Sequence, residues 1–218
     1  MNRRYTGKYA LRYNQRWRAY NERTLAEVLT MIDLAALRTH VASTGCQPRV
    51  LDVACGTGLL LKRLVELVPG IDIYGVDASA DMLIQARLAL PKVSSTHFQQ
   101  AEWGSGETAG LPYAPQTFDL ITCTNTLHYI PDPIPALKGL HHLLVPTGSL
   151  VLEDYARRPP PFPWTLLEWL LRWIEGEYVR AYTLVEAQSL CVQAGFEVVA
   201  SEAFVIDWLC HGWVLRLR

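Results

Sequence analysis

No run of 18 or more apolar residues occurs in this 218-residue chain, although half of its residues are apolar, so a membrane-spanning helix is not expected. The first residues lack the continuous apolar segment of a secretory leader. They are rich in arginine and poor in acids, as transit peptides are, yet hold no serine before Ser43; a cytoplasmic location is the expectation. There is no C-x-x-C pair among Cys46, Cys55, Cys123, Cys191 and Cys210. An odd set without that spacing argues for free thiols in a reducing compartment rather than disulfides or zinc. No His, Cys and Asp constellation has metal-ligand spacing, so no metal is expected. Repeats and low-complexity linkers are also missing, and the length suits one domain with a substantial core.

Charge is nearly balanced but unevenly spread. Arg3, Arg4, Lys8, Arg12, Arg16, Arg18 and Arg23 face a single acid, Glu22, in residues 1–25, while the rest of the chain holds 13 basic and 20 acidic residues. Such asymmetry marks an anionic partner. Base-stacking motifs are missing, so nucleic acid is not favoured, and contact of this basic segment with an anionic membrane surface is the extension to test. Tyr5, Tyr9, Tyr13 and Trp17 recur every four residues beside Arg4, Lys8, Arg12 and Arg16, which predicts a helix with an aromatic stripe next to a basic one. A second helix is predicted over residues 24–39, with Leu25, Val28, Leu29, Ile32 and Ala36 on one face.

The most informative segment is Val50-Leu51-Asp52-Val53-Ala54-Cys55-Gly56-Thr57-Gly58. A short apolar run of this kind suits a buried parallel strand. Gly56 and Gly58 permit a tight turn and close approach of backbone to a ligand, and Leu59-Leu60-Leu61 opens a helix whose first amides face that turn. A second apolar strand, Ile73-Tyr74-Gly75-Val76, ends on Asp77, nineteen residues past Gly58. There a dinucleotide-type fold places a carboxylate on ribose hydroxyls. Two absences then narrow the ligand. Position 61 is leucine, not the third glycine of a nicotinamide or flavin site, and no Gly-Lys-Ser or Gly-Lys-Thr follows to make a phosphate loop. Asp52, at the strand end, is suited to accept hydrogen bonds from an ammonium group or from loop amides.

These residues resemble the class I S-adenosylmethionine-dependent methyltransferases, in particular the small-molecule type that includes the quinone-biosynthesis enzymes. The likeness extends to Leu111-Pro112-Tyr113, Thr117 to Ile121, Asn125 to Ile130, Leu144 to Leu152 and Ala194 to Val199, in family order. It implies an α/β fold: a doubly wound, mostly parallel seven-stranded sheet with an antiparallel C-terminal edge hairpin, an N-terminal helical cap (1–40), a cofactor-binding core (45–155), a helical insertion after strand five (157–181) and a C-terminal helix and strand pair (182–218). It also implies S-adenosylmethionine as cofactor and a small-molecule acceptor. Expected cofactor contacts are Asp52, Ala54, Gly56 and Gly58 at the methionine and ribose portions, Asp77 at the ribose, Ala78 and Met82 at the adenine, and Asn125 at the cofactor amine. Glu102, with Trp103 beside it, is expected at the adenine edge; counting back from Leu111-Pro112 favours Glu107 instead. Ser79 is a competing helix cap beside Asp77. Cys55 reads as a small buried side chain of the loop.

Chemistry beyond the cofactor is less sharply written. Methyl transfer needs a general base only if the acceptor is a hydroxyl or an acidic carbon; His128 is then the first choice, since its side chain titrates near neutrality, although helix packing explains such a segment equally well. Tyr13 is expected at the cofactor carboxylate or the acceptor. Within residues 157–180, Pro163 precedes a run from Trp164 to Ile174 that is apolar nearly all round and carries Trp164, Trp169 and Trp173. A helix apolar on every face needs cover on every face. The expectation is a lid, with Trp169 and Trp173 facing an apolar or amphipathic acceptor and Tyr9, Tyr13 or Trp17 across from them. A core or subunit-interface role competes, as does a cofactor-binding protein without transfer.

Overall fold

The computed structural model describes residues 5–94, 97–104, 110–158, 163–175 and 180–218. Strands β1 (Arg49–Val53), β2 (Asp72–Asp77), β3 (Phe98–Gln100), β4 (Phe118–Thr124), β5 (Leu144–Tyr155), β6 (Val198–Val205) and β7 (His211–Leu217) form one sheet in the order β3-β2-β1-β4-β5-β7-β6. The first five strands pair in parallel, and β7 lies antiparallel to both β5 and β6. This is the doubly wound sheet with an antiparallel edge hairpin that the sequence implies.

Two apolar layers cover the sheet. One joins Val50, Ile73, Leu120 and Val151 to Val28, Leu61, Leu64 and Leu83 from the helices. The other joins Leu51, Ile121, Leu150 and Leu152 to Leu137, Leu140, Ala187 and Cys191. Alternate residues of each strand thus point to opposite layers, as a pleated strand with both faces covered requires. Strand order reverses between β1 and β4, so a crevice opens outside their C-terminal ends, where open α/β sheets bind ligands.

Helices α1 (Gly7–Arg16), α2 (Arg18–Met31) and α3 (Leu34–Thr44) precede the sheet. The single helix expected over residues 24–39 is in fact two. Ile32 is extended, and the Asp33 carboxylate accepts from the Ala36 amide at 2.9 Å, capping a new helix; an acid able to satisfy an orphan amide overrides continuous apolar periodicity. Helices α4 (Leu59–Leu67), α5 (Ala80–Ala89), α6 (Pro133–Leu143), α7 (Trp164–Glu175) and α8 (Leu184–Gln193) complete the chain. Helix α8 opens on a capping box between Thr183 and Glu186. The fifth strand is long because Leu144 pairs with Phe118 before a register shift brings Ser149 opposite Leu120.

Candidate active site

A cavity of about 540 Å³ lies between the C-terminal ends of β1, β2 and β4 and the cap helices α1 and α2. Of the sequence-predicted residues, Tyr13, Asp52, Ala54, Gly56, Asp77, Ala78, Met82, Glu102, Trp103 and Asn125 all line it. Gly58 and His128 do not appear among its lining residues. Glu107, the alternative to Glu102, lies outside the described residues.

The glycine loop is built for a ligand on one side only. Gly56 has φ 54°, and a Cβ added there would meet no protein atom within 4 Å, so the space it would fill is cavity. Gly58 has φ 74°, but a Cβ there would come within 3.1 Å of the Ala86 side chain. The packing of α4 against α5 therefore requires a glycine at this position. Ala54 and Asn125, at the ends of neighbouring strands, are both in the left-handed region at φ 58° and 51°. Strain of about 1–3 kcal/mol in such non-glycine residues persists where surrounding structure enforces it and clusters at functional sites. Cys55 is 7% exposed and packs under Gly75, as its reading as a small buried side chain requires.

Asp77 organises this loop. Its carboxylate accepts from the Gly56 amide and the Ser79 amide, each at 2.8 Å, while the Ser79 hydroxyl caps α5 by accepting from the Met82 amide at 3.3 Å. Capping and carboxylate roles are therefore divided between two residues. Burial raises the Asp77 carboxyl above the usual range, and the two amides pull it back down. Asp52 is 2% exposed and accepts from the Thr122 hydroxyl at 2.7 Å. Burial carries its carboxyl up from 3.8 to about 7, with Thr122 opposing and the nearby Asp77 adding to the rise. The amides that hold the loop go to Asp77, so the loop-amide alternative for Asp52 gives way to a threonine partner.

The opposite wall is aromatic. Tyr5, Tyr13, Trp103 and Tyr129 line the cavity with Ile130 and Pro131, and the Tyr5 and Tyr129 hydroxyls meet at 3.3 Å. Burial, then the hydroxyls of Tyr5 and Tyr9, raise the Tyr13 phenol above its usual value. Trp103 is buried and donates its indole N–H to the Ala136 carbonyl at 3.3 Å, whereas Glu102 is exposed at the rim. His128 is 4% exposed; its Nδ1 lies 2.8 Å from the Asp154 carboxylate, its amide donates to that carboxylate at 2.9 Å, and its ring packs between Tyr129 and Tyr155. Tyr129, not His128, forms the wall here.

The tryptophan helix does not behave as a helix covered on every face. Trp164 is buried against Tyr129, Tyr155 and Ala181, but Leu166, Trp169, Leu170 and Trp173 are 40–77% exposed. Spaced i, i+3, i+4 and i+7, they form one stripe. That stripe points outward, and neither Trp169 nor Trp173 lines the cavity, nor do Tyr9 and Trp17. Residues missed from the sequence are Tyr20, Asn21, Thr24 and Thr57. The Tyr20 hydroxyl donates to Asn125 Oδ1 at 2.6 Å, and the Thr57 hydroxyl to Asn14 Oδ1 at 2.7 Å. Thr24 is a polar residue on the buried face of α2 with Val28, and that one mismatch in an apolar stripe was the available signal. Among the described residues no three His, Cys, Asp or Glu side chains could hold a metal, and no helix is long and apolar enough to cross a membrane.

A doubly wound sheet, a crevice at β1 and β4, an open Gly56 and a strand-end Asp77 define a class I S-adenosylmethionine-dependent methyltransferase, and the chain belongs to that family. Residues 51–150 match the family described as "Methyltransferase domain". The chain is 32% identical over 167 residues to the 2-phytyl-1,4-naphtoquinone methyltransferase of Thermosynechococcus vestitus, covering 68% of this chain and 72% of that protein. It is 27% identical to the ubiquinone biosynthesis O-methyltransferase of Cereibacter sphaeroides, covering 78% of this chain and 68% of that protein. The crystal structure of an S-adenosylmethionine-dependent methyltransferase from Mesorhizobium loti shares the fold, with a TM-score of 0.65, 20% identity and coverage of 85% and 95% of the two chains.

Proposed function

We propose that this methyltransferase acts on a small hydroxylated aromatic acceptor of quinone type. The observation that carries the reading is the cluster of Tyr5, Tyr13 and Tyr129 in the lining of the cavity that the glycine loop shares. Flat apolar rings are held best by such side chains, which offer area and a few polar tips. By their names, one relative given above is a 2-phytyl-1,4-naphtoquinone methyltransferase and the other an O-methyltransferase of ubiquinone biosynthesis. Bound adenosylmethionine supplies an already activated methyl group with a neutral leaving group, so the chain's work is to position the acceptor and exclude water.

Individual roles follow from the geometry as parts of the same reading. Asp77 takes the ribose hydroxyls on lone pairs its two amides leave free, and Gly56 with Ala54 leaves room for the methionine portion. Asp52 supplies negative potential for the cationic end. Ala78, Met82 and Trp103 sandwich the adenine, with Glu102 at its exposed edge, and Asn125 presents its backbone carbonyl to the cofactor amine. Tyr13 faces the acceptor. His128, tied to Asp154, supports Tyr129. Incubating the protein with adenosylmethionine and a panel of demethylated quinols and catechols, with adenosylhomocysteine as readout, tests the proposal; turnover of small charged metabolites in place of every aromatic acceptor would overturn it.

A second feature of the reading is peripheral attachment to an anionic membrane. The exposed stripe of α7 offers Leu166, Trp169, Leu170 and Trp173, and α1 exposes Lys8, Arg12 and Arg16. Both helices begin at Tyr129, which meets Tyr5 on one side and Trp164 on the other. Tryptophan and basic residues around one cavity mouth suit an interface from which an amphipathic acceptor is drawn.

A further inference from the structure

Strand β5 carries Val151 into the apolar layer beneath α2–α5 and Leu152 into the opposite one. By the same alternation Glu153 projects beneath α2, which packs on β5 and β7. Glu153 is fully buried, and neither of its carboxyl oxygens has a hydrogen-bond partner. An unpartnered buried carboxyl costs several kcal/mol. Nearly all buried polar groups avoid that penalty, so a group that bears it calls for a use.

Its surroundings point to one. Glu153 stands opposite Thr124 in the parallel register, and its main-chain carbonyl accepts the Asn125 amide at 3.0 Å. Thr124 and Asn125 line the cavity, as do Asn21 and Thr24 of α2. The acid is therefore the neighbour in the sheet of a residue of this wall, on a strand that α2 packs against, and the Tyr20 hydroxyl ties α2 to Asn125. Its electrostatic reach is visible in two phenols: after burial, Glu153 is the largest influence raising Tyr20, and it is among those raising Tyr13. Burial, then the charge of Asp154, pushes Glu153 itself well above the usual carboxyl range, with the Asn125 amide opposing.

We propose that Glu153 is the specificity residue of the acceptor subsite, reached when Tyr20 releases Asn125 and binding a ring hydroxyl of the acceptor. This rests on the aromatic-acceptor reading and deepens it: the acceptor must carry a hydroxyl deep under α2, and a fully etherified ring should be rejected.

The probes are catechol and its dimethyl ether, added to protein saturated with adenosylhomocysteine. Infrared difference spectra of wild type against Glu153→Gln isolate the Glu153 carboxyl band, and calorimetry gives the affinities. The band should shift with catechol and not with the ether, and Glu153→Gln should weaken catechol by about tenfold or more while leaving adenosylhomocysteine unchanged. Glu153→Met should unfold at a higher temperature than wild type, because an apolar side chain of similar shape removes the unpaired group. A band that ignores catechol, or a Glu153→Met variant less stable than wild type, overturns the proposal; the second result would make Glu153 a structural residue. A shifted band without methyl transfer to any aromatic would leave the subsite standing and remove the proposed function.

Discussion

Replacing Asp77 with alanine tests the core of the site, because two separable energies meet at that carboxylate. In the protein alone it accepts from the Gly56 and Ser79 amides at 2.8 Å each. Charge-assisted bonds of this kind contribute about 1.5–3 kcal/mol apiece. Their loss is partly offset, since burial opposes the ionised carboxyl, so the net fall in unfolding free energy should be about 1–3 kcal/mol, within the usual range for single substitutions. On the proposed ribose role, cofactor binding loses two further bonds, partly offset because water then hydrates the ribose hydroxyls. Taking about 1.5–3 kcal/mol for the pair, the dissociation constant should rise by roughly 10- to 150-fold. The ribose is common to adenosylmethionine and adenosylhomocysteine, so calorimetry should return the same factor for both. Thermal unfolding of the free variant gives the first energy separately. Unchanged affinity for both molecules would remove Asp77 from the site. A loss confined to adenosylmethionine would move its action from the ribose to the sulfonium.

Asp52 should behave differently. Its carboxyl titrates near 7 in the folded chain against an ordinary 3.8, so the folded state holds a proton that the unfolded state has lost; stability should fall as pH rises from about 4 to 7 and level off above that. Asp52→Asn should flatten this slope in pH-dependent denaturation curves, and adenosylmethionine affinity in wild type should rise as pH passes 7. Gly56→Ala places a methyl group in open cavity at φ 54°; equilibrium titration should show cofactor affinity lost by tenfold or more, with a stability cost of only about 1–2 kcal/mol from the left-handed backbone. Trp169→Ser with Trp173→Ser should abolish sedimentation with anionic vesicles at low salt without changing adenosylhomocysteine affinity, and salt should weaken the wild-type association. Thr183→Ala removes one half of the α8 capping box and should lower unfolding free energy by about 1 kcal/mol in chemical denaturation.

Elements whose meaning is carried by local pattern were readable from the sequence. The apolar runs ending at Val53 and Val76, the glycines between them and Asp77 imply β1, α4 and β2 without ambiguity of period, and Ser79 sits at the cap its residue type favours. What could not be read depends on which contacts form, one of them local and the rest with partners distant in sequence. Ile32 and Asp33 continue an apolar rhythm, and only the Asp33 bond to Ala36 turns it into a break. The composition of α7 is apolar enough for a buried helix, yet composition does not say that Trp164 is buried while Trp169 and Trp173 stay exposed. Glu153 looks like the polar end of a strand; its burial depends on β7 and α2, which pack on β5 from far away in the chain. Gly58 resembled Gly56 until the side chain of Ala86 set the two apart.

The cap helix is fastened to the glycine loop and to the start of α5, the parts proposed to hold the cofactor. The Gly7 amide donates to the Asp81 carboxylate at 2.7 Å, the Ser79 hydroxyl to the Tyr5 carbonyl at 2.6 Å, and Thr57 reaches Asn14. Ser79 and Asp81 begin α5 beside Asp77, and Thr57 lies inside the glycine loop. Opening the cap therefore loosens the cofactor's own cradle, and an occupied cradle in turn favours a shut cap. Turnover would then be clocked by departure of the spent cofactor rather than by methyl transfer, and single-turnover rates should exceed steady-state rates. Shortening the chain before Gly7, or substituting Asn14→Ala, should narrow that gap, because release would quicken while the transfer step kept its pace.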